Sequence, residues 1–136
     1  MFKRNCFISL ILLSLSTVSY AETDLITEKA ASYCKNENTE MGIKQTKQYM
    51  DKILDKKIPW SDKEAQKLIM QLSIVFNQQC RMGYEHKAAG LENAVKDRKM
   101  QYNSMKITAT STASKVKAEG FKAAIDAYER GYNFRD

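Results

Sequence analysis

Along most of this chain the hydrophobic residues recur at intervals of three and four, and no stretch alternates in twos. Intervals of three and four place side chains on one face of an α-helix, whereas alternation in twos is typical of a half-buried strand. The pattern therefore predicts an all-α protein, a small helical bundle of four to five helices that follows an N-terminal signal peptide.

The first helical pattern covers about residues 24–55 and has a polar centre, KNENTEMG, at 35–42. A run of polar residues inside an amphipathic segment removes the apolar stripe that would hold a helix against a core. We therefore expect a break into two helices near residues 36–40. Thr39 suits the N-cap of the second one, because its hydroxyl can accept from a free backbone N–H.

The second helical pattern begins after the turn DKKIPW. Ser61 and Glu64 have the spacing of a capping box, which predicts a helix start at this point. The apolar stripe that follows consists of Ala65, Leu68, Ile69, Leu72, Val75, Phe76 and Cys80. Met70 and Ile74 widen this stripe, so we expect the helix to be the buried centre of the fold.

The third pattern is interrupted by Gly83 and Gly90. A glycine inside a helix costs up to about 1 kcal/mol relative to alanine, so we expect a break or bend near one of the two. The stretch KITATSTAS at 106–114 is β-branched and rich in hydroxyl groups, which predicts a connector. A last helix is expected over about 115–131, with residues 111–114 able to cap it.

The N-terminal segment has a different pattern. Lys3 and Arg4 precede an apolar run over residues 7–15, and Ser19 and Ala21 have the −3 and −1 positions of a small-residue cleavage site. This order of charged, apolar and small residues is typical of a secretory signal peptide. The run is shorter than the roughly 18–20 residues that span a bilayer, which argues against a membrane anchor.

Cleavage after Ala21 divides the chain into a signal peptide, 1–21, and a single helical domain, 22–136. The mature protein is expected to be periplasmic or secreted, with no transmembrane segment, because no later stretch is apolar enough. Loss of Lys3 and Arg4 lowers the formal net charge from +6 to +4.

The remaining positive charge is placed unevenly. Residues 22–80 hold nine basic and nine acidic residues, whereas residues 81–136 hold eleven basic and seven acidic ones. The basic surplus favours an anionic partner such as an acidic protein, a cell-wall polymer or lipid headgroups; the alternative is a solvated helix face. Nucleic acid is not expected in the exported compartment. The candidate partner-binding residues are Lys96, Arg98, Lys99, Lys106, Lys115, Lys117 and the single tryptophan, Trp60.

Two cysteines remain once the leader, with Cys6, is removed. Cys34 and Cys80 each lie on the apolar stripe of their own segment, where two packed helices would face each other. Cysteines of exported proteins usually pair, so we predict one Cys34–Cys80 disulfide. In the loop-entropy model such a bridge stabilises the fold by roughly 4 kcal/mol.

A metal site or a reactive thiol is the alternative for the cysteines. His86, the only histidine, follows Cys80 by six residues, so on a straight helix the two side chains diverge by roughly 120°. A zinc site needs three or four ligands, and two cysteines with one histidine, without a zinc-finger spacing, barely supply them. A haem held by a methionine and His86 likewise lacks a supporting spacing. We predict no metal and no cofactor, and we expect His86 to be a solvated residue on a helix surface.

Aromatic and acidic residues fit structural roles. Four tyrosines on helical stripes are expected to pack in the core: Tyr33, Tyr84, Tyr102 and Tyr128. Asp51 is expected to form a surface ion pair with Lys47. The other close carboxylates, Glu37 with Glu40 and Asp126 with Glu129, have no partners that suggest acid–base chemistry.

These patterns predict a protein without enzymatic activity. The chain contains no nucleophile elbow, zinc-protease motif, phosphate-binding loop or dinucleotide-binding motif. The hypothesis is an exported helical protein that binds another protein, as an immunity or inhibitor protein against a cell-wall-targeting toxin. The alternatives are an accessory component of a secretion or conjugation assembly in the cell envelope, and a small-ligand carrier.

Overall fold

The computed structural model describes residues 26–54 and 58–136, and within these ranges it is helical, without strands. The elements are α1 (Glu28–Tyr33), a π-helical turn (Cys34–Asn38), α2 (Thr39–Ile53), α3 (Lys63–Ala88), α4 (Ala94–Thr108) and α5 (Thr112–Asn133). Because α1, the π turn and α2 follow one another without a gap, they form one rod, and the described chain is a bundle of four rods. The predicted all-α class is confirmed. The predicted signal peptide lies outside the described residues and stays a prediction.

Helices α3 and α5 cross closely at the centre of the bundle. The crossing depends on two glycines: Gly83 faces the backbone carbonyl of Tyr128, and Gly131 faces the backbone carbonyl of Cys80. A side chain at either glycine would collide with the other helix's backbone, so glycine allows the two helices to approach each other here.

The hydrophobic core lies between α2, α3 and α5. Its members are Met50, Leu68, Leu72, Val75, Phe76, Val116, Ala123, Ala124 and Ala127. Because the alanine side chains of α5 are small, α2 and α3 pack closely on that helix. Met70 and Ile74 are 63% and 56% exposed on the opposite face of α3. The prediction that they widen the buried face is wrong, because α3 is covered on one side only.

The predicted disulfide is confirmed. Cys34 and Cys80 are both fully buried and are joined across a Cα–Cα distance of 5.4 Å. The bond connects the start of the π turn to α3 beside the α3–α5 crossing. It therefore holds the first rod against the most tightly packed part of the bundle.

The predicted break near residues 36–40 is wrong, and a π-helical turn takes its place. The polar residues there are satisfied inside the protein: the Thr39 hydroxyl donates to the Cys34 carbonyl (2.8 Å), and the Asn38 amide donates to the Phe76 carbonyl (3.0 Å). Asn38 is fully buried. The wider turn keeps the helix continuous while its polar side chains satisfy backbone groups.

Two helix starts differ from expectation. The predicted capping box at Ser61 does not form, because a backbone hydrogen bond from Asp62 to Pro59 holds this stretch in a turn, and Asp62 becomes the N-cap of α3. A reciprocal capping box does form at α5, where Ser111 accepts from the Ser114 N–H (3.0 Å) and its own N–H donates to the Ser114 hydroxyl (2.9 Å). The expected cap at residues 111–114 is thus confirmed, although the connector is shorter than predicted.

The break expected at a glycine occurs at Gly90. Helix α3 continues through Gly83, ends at Ala88, and is followed by Gly90 with a φ of +75°. That left-handed conformation suits glycine and lets the chain turn into α4. Among the described residues, every helix is too short or too polar to cross a membrane.

Candidate functional site

Helix α4 is attached to the bundle differently from the other long helices. It has no buried residue, and its inward apolar side chains, Val95 and Met105, are only half-buried. Polar groups supply much of the attachment. The Tyr102 hydroxyl donates to Glu119 of α5 (2.9 Å), and Lys99 donates to Glu129 of α5 (2.7 Å). Burial and the Glu119 carboxylate raise the pKa of Tyr102 to about 12, so this hydroxyl keeps its proton at neutral pH.

The outer face of α4 carries exposed apolar residues. Met100 is 60% exposed and Ile107 is 83% exposed. Lys96, Met100, Asn103 and Ile107 are spaced by four, three and four residues, so they share one face, and all four are exposed. We call these four residues the outer α4 stripe.

Most of the predicted cationic residues lie on α4, and two lie at the start of α5. Lys106 and Lys115 are exposed and Lys117 is half-buried. Lys99 is paired with Glu129, whereas in the described part of the chain neither Lys96 nor Lys106 lies within ion-pair distance of a carboxylate. The candidate lysines therefore belong to α4 and the first turns of α5, and Lys96 is itself part of the outer α4 stripe.

Arg98 is also a predicted binding residue, but the structure turns it inward. Its guanidinium donates to the Gln79 side chain (2.6 Å) and to the Met82 sulfur (3.0 Å) of α3, and it lies 3.9 Å from the ring centroid of Tyr128. Burial lowers its pKa from the ordinary value. Arg98 thus fastens α4 to both α3 and α5, a role that charge alone does not indicate.

Trp60, the remaining predicted residue, belongs to the connection between α2 and α3. Its half-buried indole packs on the core and its N–H lies 3.3 Å from a carboxylate oxygen of Asp51, which also accepts from the Ile58 N–H (3.0 Å). Lys47 lies over the ring, 5.6 Å from its centroid, instead of forming the expected ion pair with Asp51. The contacts of Trp60 therefore do not join it to the lysines of α4.

His86 is half-buried, so the expectation of a solvated side chain is wrong. Its Nδ1 lies 2.7 Å from the hydroxyl oxygen of Tyr128, which is itself fully buried. Burial, and then the positive charge of Arg98, lower the pKa of His86. Burial raises the pKa of Tyr128 to about 12, so its hydroxyl keeps its proton at neutral pH, and the tautomer of His86 sets which of the two groups donates. Within residues 26–54 and 58–136, no three histidine, cysteine or acidic side chains form a metal-binding group.

The C-terminal residues GYNFRD dock onto α1. Phe134 stacks on Tyr33 with their ring centroids 4.5 Å apart, and Asp136 accepts from the hydroxyls of Thr27 (2.7 Å) and Tyr84 (2.9 Å). Tyr33 and Tyr84 are thus half-buried under this segment. Of the four tyrosines predicted to pack in the core, only Tyr128 is fully buried, and Tyr102 is half-buried as well.

This docked segment forms one wall of an open groove of about 580 Å³, which we call the C-terminal groove. Its lining includes Tyr33, Asp126, Glu129, Arg130, Phe134 and Arg135. No sequence pattern indicates the groove, because its residues come from the two ends of the described chain and meet only in the folded protein.

Comparison of the chain with protein-family models, with curated proteins and with solved structures gave no match in any of the three. The outer α4 stripe and the C-terminal groove are therefore the surfaces whose geometry and charge indicate function.

Proposed function

We propose that this chain is an exported, non-enzymatic protein that binds another protein through the outer α4 stripe and the lysines around it. In this proposal it acts as an immunity or inhibitor protein against a toxin that attacks the cell wall. The observation that supports it most is that a 15-residue helix has no buried residue and exposes Met100 and Ile107.

An exposed apolar pair on a weakly buried helix favours binding, because a partner that buries these side chains gains the hydrophobic free energy that folding of this chain does not. Complete burial of a methionine or isoleucine side chain stabilises by roughly 1.5–3 kcal/mol. Met100 and Ile107 lie two helical turns apart on one stripe, so a single partner surface can cover both. Protein interfaces commonly have such an apolar centre inside a polar rim.

The charge around the stripe indicates the chemistry of the partner. Lys96 and Lys106 have no carboxylate partner within the described residues, and Lys115 is exposed on the next helix. A partner surface with acidic residues around an apolar patch complements this arrangement. Charge complementarity of this kind mainly speeds association and makes the association rate depend on salt.

A capture experiment with paired variants tests the proposal. The bait is the disulfide-bonded protein from the exported fraction, and the test variant carries Met100→Ser and Ile107→Ser. The matched control carries Met70→Ser and Ile74→Ser, which remove another exposed methionine–isoleucine pair from the outer face of α3. The expected result is a specific acidic partner that the wild type and the control retain and the α4 variant loses.

The captured partner then separates the functional alternatives. A wall-degrading enzyme whose activity is inhibited by the wild type, and not by the α4 variant, would support the inhibitor role. Partners from a membrane-embedded apparatus would instead favour the accessory-component hypothesis. Equal retention by all three baits, or no specific partner for the wild type, would refute binding through the outer α4 stripe.

A further inference from the structure

Arg130 is a half-buried cation without an acidic hydrogen-bond partner among the described residues. Its Nε donates to the Asn38 side-chain oxygen (2.7 Å) and its Nη2 lies 3.5 Å from the Asn38 carbonyl oxygen. Asn38 is neutral and fully buried, and its amide is fixed by the Phe76 carbonyl. A buried charge is costly unless it is paired, so an oriented guanidinium held only by a neutral amide is suited to receive an anion.

The acidic residues beside Arg130 are occupied by other partners. Asp126 accepts from the Gln45 amide and from the Lys122 ammonium, both at 2.7 Å, and Glu129 accepts from Lys99 at 2.7 Å. Burial lowers the pKa of Arg130 more than the nearby Tyr33 and Asp126 raise it, so these neighbours do not compensate its desolvation.

Arg135 adds a second cation to the same groove. It is exposed, it lines the C-terminal groove with Arg130, and it has no ion-pair partner among residues 26–54 and 58–136. Two guanidinium groups therefore add positive charge to a groove whose own carboxylates, Asp126 and Glu129, are paired with lysines. The docked segment also carries the Asp136 carboxylate, which accepts from the neutral hydroxyls of Thr27 and Tyr84. A guanidinium binds a carboxylate with two parallel hydrogen bonds, which gives both strength and direction.

The lining of the groove also includes an aromatic stack. Tyr33 and Phe134 form a stack whose planes differ by 19°, and Tyr84 meets Phe134 at 6.4 Å between ring centroids. The stack is held in place because Asp136 accepts hydrogen bonds from Thr27 and Tyr84. A flat apolar surface next to two cations fits a ligand in which a carboxylate neighbours an apolar group.

We infer that the C-terminal groove binds an acidic peptide segment of a protein partner, with a carboxylate on Arg130 and Arg135 and an apolar side chain on the Tyr33–Phe134 stack. A peptide fits better than a small anion because the groove is open and holds about 580 Å³, whereas sites for small ligands enclose most of the ligand surface. This site is separate from the outer α4 stripe, and the inference does not rest on the function proposed for that stripe.

Fluorescence anisotropy of a labelled peptide of alternating glutamate and leucine tests the inference on the full disulfide-bonded protein. The same peptide with glutamine in place of glutamate is the uncharged probe. The test variants are Arg130→Gln and Arg135→Gln, and the matched control is Arg81→Gln, an exposed arginine on the outer face of α3. We expect Arg130→Gln to weaken binding of the glutamate peptide about 10-fold or more, the loss of one charged hydrogen-bond pair. The control should bind normally.

Several results would overturn the inference. These are equal weakening by all three arginine variants, equal binding of the glutamine peptide, and no binding by the wild type. Benzoate binding, measured directly by calorimetry, separates a small-anion site from a peptide site: if benzoate binds with the same dependence on Arg130 and Arg135 while the peptide does not bind, the peptide assignment is wrong. Because Arg130→Gln can also disturb Asn38, the result for Arg135→Gln, at an exposed position, decides the question if Arg130→Gln unfolds.

The α4 variant with Met100→Ser and Ile107→Ser should bind the peptide normally. This result would separate the C-terminal groove from the outer α4 stripe.

Discussion

The α3–α5 crossing and the attachment of α4 hold helices to the same bundle in opposite ways. At the crossing, Gly83 and Gly131 bring two backbones together beside the buried Cys34–Cys80 bond. Helix α4 has no buried residue and depends on the polar ends of Arg98, Lys99 and Tyr102.

The difference indicates which part of the molecule is free to bind. Close packing fixes the crossing, the disulfide holds the first rod beside it, and any change there disturbs the whole fold. Exposed ion pairs such as Lys99–Glu129 contribute only about 0–1 kcal/mol, so α4 is attached more weakly while its apolar side chains remain uncovered. We therefore expect variants at the crossing to change global stability and variants in α4 to act locally.

Removal of the disulfide should give the largest effect. With Cys34→Ala and Cys80→Ala together, the free energy of unfolding should fall by about 4 kcal/mol, because the unfolded chain loses a crosslink between residues 46 positions apart. Denaturant unfolding measures this as a lower midpoint. A midpoint within error of the wild type would mean that packing alone holds the first rod against α3.

Gly131→Ala should cause the second largest loss in the free energy of unfolding. The new Cβ would collide with the Cys80 carbonyl, so α3 and α5 must separate, at a cost of about 1–3 kcal/mol. The control is Ser104→Ala on exposed α4, which should change stability by less than about 0.5 kcal/mol. Equal unfolding midpoints for the two variants would contradict the contrast between the crossing and α4.

Arg98→Ala should loosen α4 alone. The variant loses the hydrogen bonds to Gln79 and Met82 and the stacking on Tyr128. Hydrogen exchange should therefore accelerate in α4 by about 10-fold, while α3 and α5 keep their protection, since about 1.4 kcal/mol of local stability corresponds to that factor. Lys96→Ala on the outer face is the control and should leave exchange unchanged. Faster exchange throughout the bundle would show that α4 is part of the cooperative core.

The sequence predicted the parts of this comparison that depend on local periodicity. Apolar residues at helical spacing indicated the all-α class, and the position of Cys34 and Cys80 on two such stripes indicated their bond. The capping role of Ser111 also followed from local chemistry, whereas the pattern at Ser61 failed because a turn through Pro59 starts α3 one residue later.

The rest depends on tertiary contacts that no local pattern contains. Arg98 resembles its neighbouring lysines in sequence, yet it alone turns inward, because Gln79 and Tyr128 meet it from two other helices. The polar centre of the first segment resembled a loop, but Asn38 is satisfied by Phe76 and Arg130 from distant parts of the chain. The C-terminal groove is likewise formed by residues that are distant in the sequence, Tyr33 and the segment around Arg130 and Phe134. No local pattern therefore predicts it.

The smallest expected effect is a pH dependence at the place where α4 meets the crossing. Burial, and then Arg98, lower the pKa of His86 in the folded protein, while the unfolded chain keeps a value near 6.5. Well above pH 6.5 both states hold a neutral imidazole and this contribution to stability is complete. As the pH falls below that value the unfolded state binds the proton first, so the urea midpoint should fall until the pH passes the lowered pKa of the folded state.

His86 is the only histidine, so variants can assign this pH dependence to one side chain. In His86→Gln the decrease between about pH 7 and pH 5.5 should disappear, because the carboxylates titrate mainly below this range. In Arg98→Ala the His86 pKa, followed by NMR of its ring protons, should rise towards the ordinary value, since the positive charge of the arginine no longer opposes protonation of the ring. A midpoint that increases as the pH falls, or an unchanged His86 pKa in Arg98→Ala, would contradict the coupling of α4 to the crossing through this contact.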